Sequence, residues 1–243
     1  MTSVICVQEV TVMKDFISRI RHLCRRAAVL ALLAVLMTVL LAGCAESASG
    51  PTKDDAGAYV KAVLDLMCLG EYDQSVNLAD VERGKEKETR DAMIDSVLSS
   101  IVAETSMNEE QAVQLREYLA KAFTACRYSI KNVTSTEENE YDVTVSIEPL
   151  RIFRGVSEAI EAKTEELKGN PEDLISISEE EKVTMLYDTL IEKLNENLND
   201  PQYAEAEEVV VHYGLIDEEN SLYGIDEDAG ALLGKKLFSA EDS

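Results

Sequence analysis

Tyr141-Asp142-Val143-Thr144-Val145-Ser146-Ile147-Glu148 is the cleanest periodic segment of the 243-residue chain. Apolar and polar side chains alternate at every step. Tyr141, Val143, Val145 and Ile147 therefore share one face of a strand, and Asp142, Thr144, Ser146 and Glu148 the other. A strand with one dry and one wet face belongs to an antiparallel sheet covered on one side. Upstream, Tyr128 and Ile130 alternate with Arg127, Ser129 and Lys131. With the polar stretch Ser135 to Asn139 as a loop, the two runs read as a hairpin. Downstream, Val209, Val210 and Val211 sit in a third strand that runs to about Tyr213, and Leu222 to Ile225 reads as a short fourth.

The rest of the chain changes period. Spacings of three and four mark helices over Asp54 to Leu69 (Val60, Val63, Leu64, Met67), ended by Gly70, and over Lys85 to Ala103 (Met93, Ile94, Val97, Leu98, Ile101). Glu71 to Ala79 reads as a further short helical turn. Asn108 and Gln111 have capping-box spacing, ahead of Leu115, Leu119, Ala122, Phe123 and Cys126. Pro149 suits the first turn of another helix, with Ile152, Phe153, Val156 and Ile160 inward. Gly169-Asn170-Pro171 stops it. Ser178 and Glu181 form a second capping box, opening a helix with Val183, Leu186, Leu190, Leu194 and Leu198 in register, which Asp200-Pro201 ends. A closing helix covers Asp226 to Leu237.

The expected fold class is α+β: helices packed on a roughly four-stranded antiparallel sheet. Cystatin-like and nuclear-transport-factor-like folds curve such a sheet around a pocket. That is an analogy of architecture and carries no function.

The N-terminus reads as an address. Lys14, Arg19, Arg21, Arg25 and Arg26 are followed by the apolar run Ala27 to Leu41 and then by Ala42, Gly43 and Cys44. Basic, apolar, small is the order of a secretory signal. The run is short for a membrane span, which takes about 20 residues. Leu41-Ala42-Gly43-Cys44 resembles the bacterial lipobox. In lipoproteins of that pattern the cysteine thiol receives a diacylglyceryl group and a peptidase cleaves just before it. The expected organisation is a signal peptide over 1–43, with a true start near Met13, a lipidated cysteine and tether over 44–53, and one acidic domain over 54–243. Two or three acyl chains hold a protein on a membrane essentially permanently, whereas one binds reversibly. The expected location is the outer face of the cytoplasmic membrane.

Charge excludes some partners. The chain has 23 Lys and Arg against 47 Asp and Glu. Residues 1–43 carry five and two of these, which leaves 18 against 45 and a net charge near −27 on the remainder. Nucleic acid requires a basic footprint and is excluded as a partner. The spread acidity is what a soluble surface in a crowded exterior requires.

Motifs for chemistry are scarce. His212 is the one histidine after residue 43, on a strand between Val211 and Tyr213, and reads as a packed or surface side chain. One histidine and no cysteine pair at ligand spacing give no zinc site. No nucleophile elbow, phosphate-binding glycine loop or dinucleotide fingerprint stands in a plausible context. Asp217 to Asp228 has the acidity of a calcium loop, but its sixth position is Leu222 and its twelfth Asp228, where an EF-hand uses Gly and Glu. No catalytic residue, metal or cofactor is therefore expected. Cys68 and Cys126 lie on apolar helical stripes. They read as small buried hydrophobes, with a disulfide in an oxidising exterior as the alternative.

Three segments carry a wider likeness: Ala58-Tyr59-Val60-Lys61-Ala62-Val63-Leu64-Asp65 with Gly70-Glu71-Tyr72-Asp73, Val143 to Leu150 with Ile152-Phe153, and Tyr223-Gly224-Ile225-Asp226-Glu227-Asp228. In these the chain resembles clostridial, Firmicute-type cell-surface lipoproteins with a C-terminal domain of unknown function. The resemblance implies a Gram-positive-type surface, supplies no catalytic residues, and puts Tyr223 where such proteins carry an aromatic near the last strand. The expected function is a membrane-anchored protein that binds a small ligand or an envelope partner. An envelope hydrolase using paired carboxylates is the alternative. A transport solute receptor would need two α/β lobes, more than about 200 residues and four strands provide.

Overall fold

The structure is a computed structural model, and it describes residues 50–78, 81–104, 107–169, 177–219 and 221–239. The segment that includes Leu41, Ala42, Gly43 and Cys44 lies outside the described residues. The elements run α1 (Lys53–Leu69), α2 (Glu86–Glu104), α3 (Glu109–Thr124), β1 (Arg127–Glu137), β2 (Glu140–Glu148), α4 (Val156–Gly169), α5 (Glu179–Asn199), β3 (Glu207–Asp217), β4 (Leu222–Ile225) and α6 (Glu227–Lys236). The four strands form one antiparallel sheet in the order β1-β2-β3-β4. The fold is α+β.

The alternation in Tyr141 to Glu148 is the axis of this arrangement. Val143, Val145 and Ile147 are fully buried, and their register partners Val209 and Val211 on β3 lie on the same dry face. Helix α1 packs across that face. Its apolar stripe widens to nearly the whole circumference: Ala56, Tyr59, Val60, Val63, Leu64, Leu66, Met67 and Cys68 are all buried. Each fully buried Leu or Val contributes about 1.5–3 kcal/mol of transfer free energy. The sheet and helices α2 and α3 therefore pack against α1, which lies at the centre of the core. Tyr59 meets Tyr213 edge-on at 5.3 Å between ring centroids, a favoured aromatic geometry.

The helix starts follow their caps. Thr52, Asn108 and Ser178 each form a reciprocal capping box, with Asp55, Gln111 and Glu181. The two boxes read from sequence are both present. Helix α1 ends where Gly70 adopts a left-handed conformation, φ 72°, and donates its N–H to Leu66 O.

Four expectations are corrected. Ser135 to Asn139 is mostly strand: β1 continues to Glu137, and only Glu138 and Asn139 turn the chain, with Asn139 at φ 62°. Asparagine tolerates that conformation, and two-residue turns that use it match strand twist. Register irregularities at Ile130/Asn132 and Ser135/Glu137 hide the alternation along β1. Residues 71–78 are a turn rather than a helix, set by Ser75 N–H donating to Asp73 Oδ1 at 2.9 Å.

Pro149 starts no helix either. Its carbonyl accepts from Ala204 N, and Leu150 donates to Leu237 O and accepts from Ser239 N. These long-range bonds hold the segment extended, and α4 begins only at Val156. Finally, β3 runs past Tyr213 to Asp217, because Leu215 and Asp217 pair with β4; at its start Glu207 and Glu208 pair with Ile147 and Ser146.

Candidate functional site

A polar stripe runs along the otherwise apolar α1. Lys61, Asp65 and Cys68 follow one another at spacings of four and three, so they share one helix face. The stripe meets Cys126 and Tyr128, where the chain leaves α3 and enters β1. The Tyr128 hydroxyl donates to Asp65 Oδ1 at 2.9 Å, and Lys61 Nζ pairs with Asp65 Oδ2. Asp65 itself is 8% exposed, so its charge is compensated where water scarcely reaches.

The two cysteines complete the cluster. Cys68 is buried and Cys126 half-buried, and both carry free thiols. The Cys126 thiol donates to Ala122 O at 3.5 Å and lies close enough to Cys68 for the two to interact. Burial first, and then the Cys68 thiol, push the Cys126 thiol well above its ordinary range. Burial, the Cys68 sulfur and the bond to Asp65 push the Tyr128 phenol up in the same direction. At neutral pH the Cys126 thiol and the Tyr128 phenol are protonated, and both oxygens of the Asp65 side chain are engaged. A thiolate is the reactive form of cysteine, so the Cys126 thiol is held in its less reactive form. Its chemistry is that of a buried polar tie between α1 and β1.

Arg90, 7% exposed, adds a second tie: its guanidinium donates to Met67 O at 3.3 Å and Ala120 O at 2.6 Å, linking α2 to α1 and α3. Gln111 reaches from α3 to α5, donating to Asp188 Oδ1 and Thr184 O.

The wet face of the sheet is the other candidate surface. Register sets Arg127 beside Glu148, Ser129 beside Ser146 and Glu208, Asn132 beside Thr144 and Val210, and Thr134 beside Asp142 and His212. The rows are short, hydroxylic or charged, and Val210 among them is 55% exposed. His212 lies at the surface here. Its Nδ1 is 3.1 Å from Asp142 Oδ1 and its Nε2 3.6 Å from Glu140 Oε2.

Asp217 to Asp228 does not form one loop: it holds the end of β3, all of β4 and the α6 N-cap. Asp217 Oδ1 accepts from Glu219 N and Asp226 Oδ1 from Ala229 N. Tyr223 lies on β4, partly buried against the core. Among the described residues no group of three or more His, Cys, Asp or Glu could hold a metal ion.

The sequence reading missed the Asp65–Tyr128 pair. Its signal was present: Asp65 is the one charged residue in the run Ala62 to Cys68, all of which the helix buries.

No family model and no curated protein matches the chain. Among solved structures, the fold is similar to that of YcdA from Bacillus subtilis, described as a candidate lipoprotein, with a TM-score of 0.51 and 15% identity. The match covers 76% of this chain but 56% of the other, so the chain spans little more than half of that protein's length. At this identity the likeness is one of fold. No helix among the described residues is long and apolar enough to cross a membrane.

Proposed function

We propose that this protein is a lipoprotein, anchored through Cys44 at the outer face of the cytoplasmic membrane, that binds a small ligand or envelope partner and performs no catalysis. The observation that carries the reading is Leu41-Ala42-Gly43-Cys44, placed after a basic and then an apolar segment and six residues before Gly50. Two further observations support it. The fold is similar to that of a protein described as a candidate lipoprotein from Bacillus subtilis. The buried acid of the core, Asp65, is engaged by Tyr128 and Lys61 in a tie between α1 and β1. The surface offered to a partner is the wet face of the sheet, and the reading calls for no cofactor and no nucleic acid.

The test is Cys44→Ser, followed by fatty-acid labelling and membrane fractionation. The variant loses the label and leaves the membrane fraction. Retention of both would overturn the anchor.

A further inference from the structure

The chain just after Cys44 is tied down almost at once. Tyr141 donates its hydroxyl to Pro51 O at 2.8 Å. Gly50, at φ 73°, sits so close to the β1–β2 turn that a Cβ there would stand 2.2 Å from Asn139 Oδ1. Thr52 then caps α1. Gly50 to Lys53 are therefore held against the domain, which leaves six residue steps between Cys44 and the first held residue. Six residue steps span at most about 20 Å.

That attachment point lies at one end of the sheet. Tyr141 pairs with Tyr213, and β3 continues past that pair to Asp217 before turning into β4. The β1–β2 turn and the β3–β4 turn thus project from the same end, beside Gly50 and Pro51. Strand β2, nine residues long, separates this end from Glu148 by about 27 Å.

We infer that the anchor holds the domain with these two hairpin turns facing the lipid headgroups, the end bearing Arg127 and Glu148 facing away. The inference rests on the anchor reading above. The occupant of the hairpin end is the headgroup layer itself. The turns carry Glu137, Glu138, Glu140, Asp217, Glu218 and Glu219. Six carboxylates repel an anionic leaflet across a Debye length of about 8 Å at physiological salt. The end therefore stands off from the headgroups rather than inserting, at a distance the tether caps.

The test uses the full chain, lipidated in its host and reconstituted into phosphatidylcholine vesicles with a headgroup-attached quencher. A fluorescent side chain is encoded at position 138 or at position 148. Quenching is about three-fold or more stronger at 138 than at 148, and the difference shrinks when a twelve-residue Gly-Ser spacer is inserted between Ser49 and Gly50. Replacing part of the phosphatidylcholine with phosphatidylglycerol at low salt weakens quenching at 138, and added salt restores it. Equal quenching at both positions in protein that floats with the vesicles would overturn the orientation alone. Protein that does not float would overturn the anchor, and the orientation with it.

Discussion

Tyr128 donates its hydroxyl to Asp65 Oδ1 at 2.9 Å, joining β1 to α1 across 63 positions of sequence. The phenol is held protonated by burial, by the Cys68 sulfur and by this bond. The sign of the linkage follows. A group whose folded pKa is raised contributes stability that is complete below its unfolded value and is lost as pH rises toward the folded one. For tyrosine the loss begins near pH 10, and for Cys126 near pH 9. The denaturation midpoint of the wild type should fall between pH 9 and 11. Tyr128→Phe should start lower at pH 7, by about 1–3 kcal/mol for the carboxylate oxygen left without its donor, and decline less steeply. Parallel alkaline limbs in urea titrations would contradict the pairing.

Gly70 and Gly84 both have left-handed backbones, at φ 72° and 85°, but only one is crowded. A Cβ on Gly70 would stand 2.9 Å from Arg90 Cδ, whereas nothing lies within 4 Å of one on Gly84. Gly84→Ala should cost only the conformational strain, about 1–2 kcal/mol. Gly70→Ala should cost more, because displacing Arg90 loosens its bonds to Met67 O and Ala120 O. Equal losses in urea denaturation would show that Arg90 moves aside freely.

The parts of this fold that were legible in sequence are those governed by neighbours in the chain. Asn108 with Gln111 and Ser178 with Glu181 announce helix starts because a capping box is complete within four residues. Tyr141 to Glu148 announces its face because one side is dry and the other wet. Pro149 misleads because Ala204, Leu237 and Ser239 decide its conformation, and none is near in sequence. The Asp65–Tyr128 tie was hidden for the same reason. The packing of Gly50 and Pro51 was hidden too, since they look like linker until Asn139 and Tyr141 fold against them.

Glu181 closes the α5 capping box by accepting from Ser178 N–H at 2.8 Å, and that bond holds its carboxyl below the usual 4.5. Here the sign reverses. The stabilisation is present above pH 4.5 and is lost as pH falls through the folded value. Ser178→Ala should cost about 1 kcal/mol at neutral pH. Glu181→Gln keeps a capping acceptor without a charge to titrate, so its melting temperature should fall less than that of the wild type between pH 6 and pH 3.5. Identical acid limbs would remove Glu181 from the account.

The two free thiols offer the most direct check on the α1–β1 interior. Alkylation requires a thiolate and a path to it. Cys68 is 0% exposed. The Cys126 thiol contacts Ala122 O and is pushed up by burial and by Cys68, so few of its molecules are ionised at pH 8. Iodoacetamide should modify native Cys126 at least about ten-fold more slowly than an exposed cysteine, and Cys68 not at all until the domain opens. Both should react at ordinary rates in urea. The sample is the protein purified from its host without reductant and read by mass spectrometry. Two alkylated positions after denaturation match the free thiols. A mass two units lower with neither position labelled would mean that the exported protein carries a Cys68–Cys126 bridge. Fast native labelling at Cys126 would instead mean that the entry to β1 opens, and with it the Tyr128–Asp65 tie one residue beyond Arg127.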